Sequence, residues 1–91
     1  MAIKVRIPAA LRKLTNGQDL VWVEAPTVGA AITQLHTQFP DLRARLVDEA
    51  GQVRRFINVF VNEEDIRFLE NQQTPLQDGD EINIIPAIAG G

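Results

Sequence analysis

The chain contains neither cysteine nor serine. The first absence removes disulfides, thiolate metal sites and a cysteine nucleophile; the second removes a serine nucleophile. There is one histidine, His36. It sits beside an apolar helical stripe, where a partly exposed helix residue is expected and not a ligand or a base. No apolar stretch approaches the roughly 20 residues of a membrane span. The amino end, "MAIKVR", alternates apolar and charged residues in the manner of a strand and not of a signal peptide. No glycine-rich phosphate loop is present, so any nucleotide chemistry falls to a partner. Repeats, linkers and low-complexity segments are also missing. Asp78-Gly79-Asp80 lacks the further ligands of a calcium loop and is expected to be a tight turn. The adjoining acids Glu63, Glu64 and Asp65 are expected to mark a solvated turn.

What is present suits one small domain. The 91 residues are 45% apolar and 23% charged, with a net charge of −3. Nine basic residues are scattered among twelve acids. That balance argues against nucleic acid and an anionic membrane as main partners. The simplest expectation for location is the cytoplasm.

Periodicity supplies the elements. Ile3, Val5 and Ile7 alternate with Lys4 and Arg6, giving a half-buried strand. Leu11 and Leu14 suit one helical turn, followed by a turn at Asn16-Gly17. "LVWVEA" reads as a second strand, paired with the first as a hairpin. Thr27 is placed as a helix N-cap. Val28, Ile32, Leu35 and Phe39 fall on one face of a helix over 28–39, which Pro40 ends. In the connector that follows, a short helical turn would bring Leu42 and Leu46 inward. "RRFINVFVN" puts Ile57, Val59 and Val61 on one face and Phe56, Asn58 and Phe60 on the other. "NEED" turns the chain, "IRF" reads as a short strand, and "EINIIP" is the last strand, with Ile82 and Ile84 inward. The fold class is α+β. One main helix must cover one face of a single mixed sheet of four to five strands, its first and last strands parallel at the centre. That is a ubiquitin-like β-grasp over residues 1–86, with 87–91 as a flexible Gly-Gly tail.

The stretch "TPLQDGDEINIIPAIAGG" resembles the carboxyl-terminal signature of bacterial sulfur-carrier proteins of the ThiS/MoaD family. It has a leucine before the turn (Leu76), the acidic Gly turn, an apolar strand, Pro86 and a Gly-Gly terminus. "RFINVFVNEEDIRF" is most similar to the members serving cysteine synthesis, the CysO type. The resemblance covers essentially the whole chain. It implies a protein cosubstrate and not an enzyme. The Gly91 carboxylate would be adenylated by an ATP-dependent, E1-like adenylyltransferase/sulfurtransferase and converted to a thiocarboxylate. The acceptor would be an enzyme such as a cysteine synthase or the large subunit of molybdopterin synthase. No cofactor is expected on the chain itself; the activating partner uses the ATP.

The residues themselves fit this chemistry. Gly90 and Gly91 have no Cβ and suit a narrow channel. Pro86 stiffens the base of the arm. Ala87, Ile88 and Ala89 would line its contact with a partner. On the outer sheet face Phe60 and Ile85 are expected as a docking surface, with Trp22 in an ambiguous register. Three other functions compete: the small subunit of molybdopterin synthase, a ubiquitin-like modifier conjugated through Gly91, and a noncatalytic β-grasp adaptor for which the Gly-Gly end is incidental. Against the second, Ala87-Ile88-Ala89 stands where the ubiquitin tail carries arginines.

Overall fold

The computed structural model describes residues 2–87. Five strands form one sheet in the order β2-β1-β5-β3-β4. They are β1 (Ala2–Arg6), β2 (Leu20–Glu24), β3 (Ile57–Val61), β4 (Glu64–Asp65) and β5 (Glu81–Pro86). β1 and β2 are an antiparallel hairpin, with Ile3 opposite Val23 and Val5 opposite Val21. β1 and β5 pair in parallel at the centre, and β5 and β3 are antiparallel. This is the β-grasp arrangement.

The helix α1 (Val28–Gln38) packs on one face. Thr27 caps it, its hydroxyl accepting the Ala30 N–H at 3.2 Å. Phe39 is the C-terminal cap, so the helix stops one residue short of the expected 28–39, just ahead of Pro40. Val28, Ala31, Ile32 and Leu35 form its buried stripe. They meet the inward residues Ile3, Val5, Val21, Val23, Val59, Val61, Ile82 and Ile84 in a single core. The connector after α1 forms a 3-10 turn (Pro40–Leu42) and a one-turn helix α2 (Arg43–Leu46). Leu42 and Leu46 are buried, as their spacing implies.

Turns are set by backbone chemistry. β3 and β4 are joined by a two-residue loop in which Asn62 and Glu63 both have positive φ, 49° and 84°. That combination matches the right-handed twist of a hairpin. The turn at residues 78–80 has Gly79 at φ 88° and is tied to the chain's start. Asp78 Oδ1 accepts the Ala2 N–H at 2.7 Å, and the Gly79 N–H donates to the Ala2 carbonyl at 2.8 Å. These bonds hold the first strand in register beside the last.

The free edge of β2 is closed by the helix. Gln34 Oε1 accepts the Glu24 N–H at 3.0 Å, and Gln38 Nε2 donates to the Trp22 carbonyl at 3.3 Å. Side chains thus occupy backbone groups that would otherwise template another strand.

One expectation is corrected. "IRF" is not a strand: β4 is the two residues before it, and Ile66–Phe68 is a 3-10 turn. The turn is favoured because the Asp65 carboxylate accepts the Arg67 N–H at 2.8 Å, an N-cap interaction that competes with strand pairing. The "AALRKLT" segment is a 3-10 helix, Ala9–Thr15, closed by Asn16 in the left-handed region.

Candidate functional site: the outer sheet face and the base of the carboxyl-terminal arm

With α1 on one face, the alternate residues of every strand form an opposite face with no helix on it. Register places Trp22 beside Lys4, Asn83 beside Arg6 and Phe60, and Asn58 beside Ile85. Its centre is polar. Glu81 accepts from Asn83 at 3.1 Å, pairs with Arg6 at 3.2 Å, and has Lys4 at 3.9 Å. These contacts, the Asn83 hydrogen bond first, hold the Glu81 carboxyl below its usual range. The apolar groups lie to either side: Trp22 is 54% exposed and Ile85 48%. The ambiguity at Trp22 is thereby settled outward. Phe60 is half-buried, not the freely exposed anchor its alternation suggested, because it lies between Asn83 on β5 and Asp65 on β4.

Asp65 also departs from expectation. It is not a solvated turn acid: it is 9% exposed, and Arg67 Nη2 contacts its carboxylate at 2.6 Å. The same Nη2 donates to Asn58 Oδ1 at 2.8 Å, linking the 3-10 turn to β3. Hydrogen bonding from the Arg67 side chain holds the Asp65 carboxyl low, against the opposing effect of burial. Next to this pair, Phe68 is 84% exposed, an aromatic to which local periodicity assigns no role.

β5 ends at one end of this face. Ala87 donates its N–H to the Phe56 carbonyl at 2.7 Å, the last rung on the β3 side among the described residues. N–H groups alternate along a strand, so the ring nitrogen of Pro86 points to the opposite side. There the pairing with β1 covers only residues 81–83, so proline sacrifices no hydrogen bond. Phe56 lies in the turn leading into β3, 53% exposed, beside Pro86 and Ala87. Ile88, Ala89, Gly90 and Gly91, expected from the sequence as arm and reactive terminus, lie outside the described residues. Of the expected contact residues, Phe60, Ile85 and Ala87 are therefore all on or at the margin of one face.

Sequence reasoning missed the arginines at that margin. It treated the basic residues as scattered, but Arg45, Arg54 and Arg55 converge on a cleft with Phe56, Pro86 and Ala87. The density of arginine over residues 43–55, four of the nine basic residues, was the available signal.

Topology and face define a small ubiquitin-like β-grasp domain, and the chain belongs to the ThiS family, whose model matches residues 5–91. It is 41% identical to the sulfur carrier protein CysO of Mycobacterium tuberculosis over the full length of both chains. It is 36% identical, again over both full lengths, to a putative sulfur carrier protein of Archaeoglobus fulgidus. Among solved structures it superposes on a chain of the Amycolatopsis orientalis BexX/CysO complex with a TM-score of 0.91 and 40% identity. That match covers 98% of this chain and 99% of the other. Among the described residues no helix is long and apolar enough to cross a membrane.

Proposed function

We propose that this protein is a sulfur carrier of the CysO kind, a cosubstrate whose working group is the Gly91 carboxylate. The observation that carries the reading is the place of β5: among the described residues its final ladder bond, Ala87 N–H to the Phe56 carbonyl, lies at one end of the outer face, and Ile88-Ala89-Gly90-Gly91 follow it in sequence. Four residues reach roughly 13–14 Å when extended. That is long enough to bring a terminus into another protein's active site while the sheet stays outside.

A carboxylate is a poor electrophile and must be activated. A Gly91 oxygen attacks the α-phosphorus of ATP on an E1-like enzyme, and pyrophosphate leaves. A sulfide equivalent then attacks the acyl carbon of the adenylate. The carbon–sulfur bond forms, AMP leaves with the oxygen, and a thiocarboxylate remains. The carrier's part is to present the terminus. The outer face, with Ile85 and the flanking Phe60, supplies the docking contacts, and the activating enzyme binds the nucleotide. The thiocarboxylate then passes its sulfur to an acceptor enzyme in the making of cysteine or a related sulfur amino acid.

Intact-mass spectrometry after incubation with ATP, sulfide and the organism's E1-like enzyme tests this. Wild type gains the mass of one oxygen-to-sulfur exchange. Deletion of Gly91 withdraws the carboxylate by about 3.3–3.6 Å, well beyond the ~1 Å misplacement that costs about 10²-fold in a reacting geometry. Loading should fall at least that far with no change in melting. Loading of the deleted chain at the wild-type rate would sink the mechanism.

A further inference from the structure

Charge is unevenly distributed along this chain. Residues 43–56 carry four arginines against two acids, a balance of +2. The remainder carries five basic residues against ten acids, a balance of −5, which together give the net −3. Folding concentrates the positive segment further: Arg45, Arg54 and Arg55 meet at a cleft beside Pro86 and Ala87, at the end of β5.

Two of these guanidinium groups are held in place, and all three are left available. Arg54 is anchored by its backbone N–H to the Leu46 carbonyl at 2.9 Å and by its Nε to the Ala44 carbonyl at 2.7 Å. Arg55 lies over the Phe56 ring, 5.4 Å from its centroid, a cation–π contact that fixes its direction. All three are exposed. Among the described residues none of them forms an ion pair, in contrast to Arg6 and Arg67. Asp48, the acid at the cleft, spends one carboxylate oxygen on the N–H groups of Ala50 and Gln52, at 2.9 and 3.0 Å. Three like charges gathered without an acidic partner repel one another, so their concentration at one place points to an anionic group that they meet.

We propose that Arg45, Arg54 and Arg55 form a cationic collar that seats against an acidic rim around the channel of the activating enzyme. The inference rests on the sulfur-carrier reading. An enzyme that takes residues 88–91 into a channel must bring the mouth of that channel against Phe56, Pro86 and Ala87, and hence against the collar beside them. Acidic groups there complement a positive pole of an otherwise acidic protein. They steer the arm end-on, raising the encounter rate more than the rate of chemistry.

The test uses the full-length chain with Arg45→Glu and Arg55→Glu, singly and together, and Arg54 left intact because it braces the Ala44 carbonyl. Thiocarboxylate formation is followed by intact mass over a range of carrier concentrations and of sodium chloride. The double variant should raise KM roughly tenfold or more at low salt, with kcat within about twofold of wild type and melting unchanged. Wild-type kcat/KM should fall with salt, and the variant's should be flatter. Equal KM values and equal salt slopes overturn the proposal. A loss confined to kcat overturns it as well, because the arginines would then act on the reacting end. If the substitutions move the titration of the Gly91 carboxylate in the free protein, the collar holds the chain's own arm and the proposal fails. It fails too if they abolish a self-association of the wild-type chain, since the occupant is then a second copy. A wild-type chain that accepts no sulfur from the enzyme takes down the sulfur-carrier reading itself, and this proposal with it.

Discussion

Along β5, Ile82 and Ile84 are buried, whereas Ile85, one residue on, is about half exposed. β2 repeats the contrast, with Trp22 outward between buried Val21 and Val23. The two faces of one sheet thus use the same strands for opposite ends. The inner face is uniformly apolar and closed by α1. The outer face places a Lys4–Arg6–Glu81–Asn83 network at its centre and large apolar groups to either side. Backbone alternation makes this economical: a substitution on one face leaves the other in place, so stability and recognition are separable at neighbouring positions.

The strongest way to break that separation is through the inner face. Ile82→Ala, in the central strand, should cost about 2–5 kcal/mol of stability, enough to lower the melting temperature by about 10 °C or more. Thermal melting followed by circular dichroism checks it. Its outer neighbour should do the reverse. Ile85→Ala should leave melting nearly unchanged and weaken binding to the activating or acceptor enzyme by about 1–4 kcal/mol, measured by titration calorimetry. Half-buried Phe60 stands between the faces, so Phe60→Ala should show both losses, each smaller than at the pure position. If Ile85→Ala lowered melting as much as Ile82→Ala, the division of labour would not hold.

How much of this was readable beforehand follows from the range of the forces involved. The core stripe of α1, the inward residues of the strands, the Thr27 cap and the outward Ile85 all follow from local periodicity, and the structure keeps them. The parallel pairing of β1 with β5 followed from the order of elements and the single helix. What escaped depended on contacts that alternation cannot encode. Asp65 is drawn in by an arginine two residues later, and Phe60 is flanked by side chains from two other strands. Arg45 and Arg55 meet only because the Val47–Val53 bridge folds the connector back on itself. The arm beyond Ala87 was legible as chemistry alone, through its glycines and their resemblance to a family signature.

Smaller effects come from ionisation at the edges of the two faces. The Arg67 contacts depress the Asp65 carboxyl, so their contribution is present above its ordinary 3.8 and is lost as pH falls through the lowered folded value. Asp65→Asn should therefore be less stable than wild type at pH 7, with the gap closing under strongly acidic conditions. Melting curves over that range measure it. Smallest is His36, on the helix side. Burial first, and then the charge of Arg43, lower its pKa below the ordinary 6.5, and its Nε2 is buried without a hydrogen-bond partner. The unfolded chain then binds more protons as the solution is acidified, so stability is whole above pH 6.5 and declines below it. His36→Gln should remove that part of the decline between pH 7 and 5. An unchanged slope would show that the imidazole does not contribute.

The central place of β5 has a consequence for how the molecule is made. The strand hydrogen-bonded to both β1 and β3 is the last of the five to leave the ribosome. Until residue 86 is available, the β1–β2 hairpin and the β3–β4 hairpin have no strand to join them, and α1 has only half a platform. A chain cut short before β5 has no strand to close the sheet. Folding therefore waits for β5, so that the sheet closes only in chains that already extend to the base of the arm.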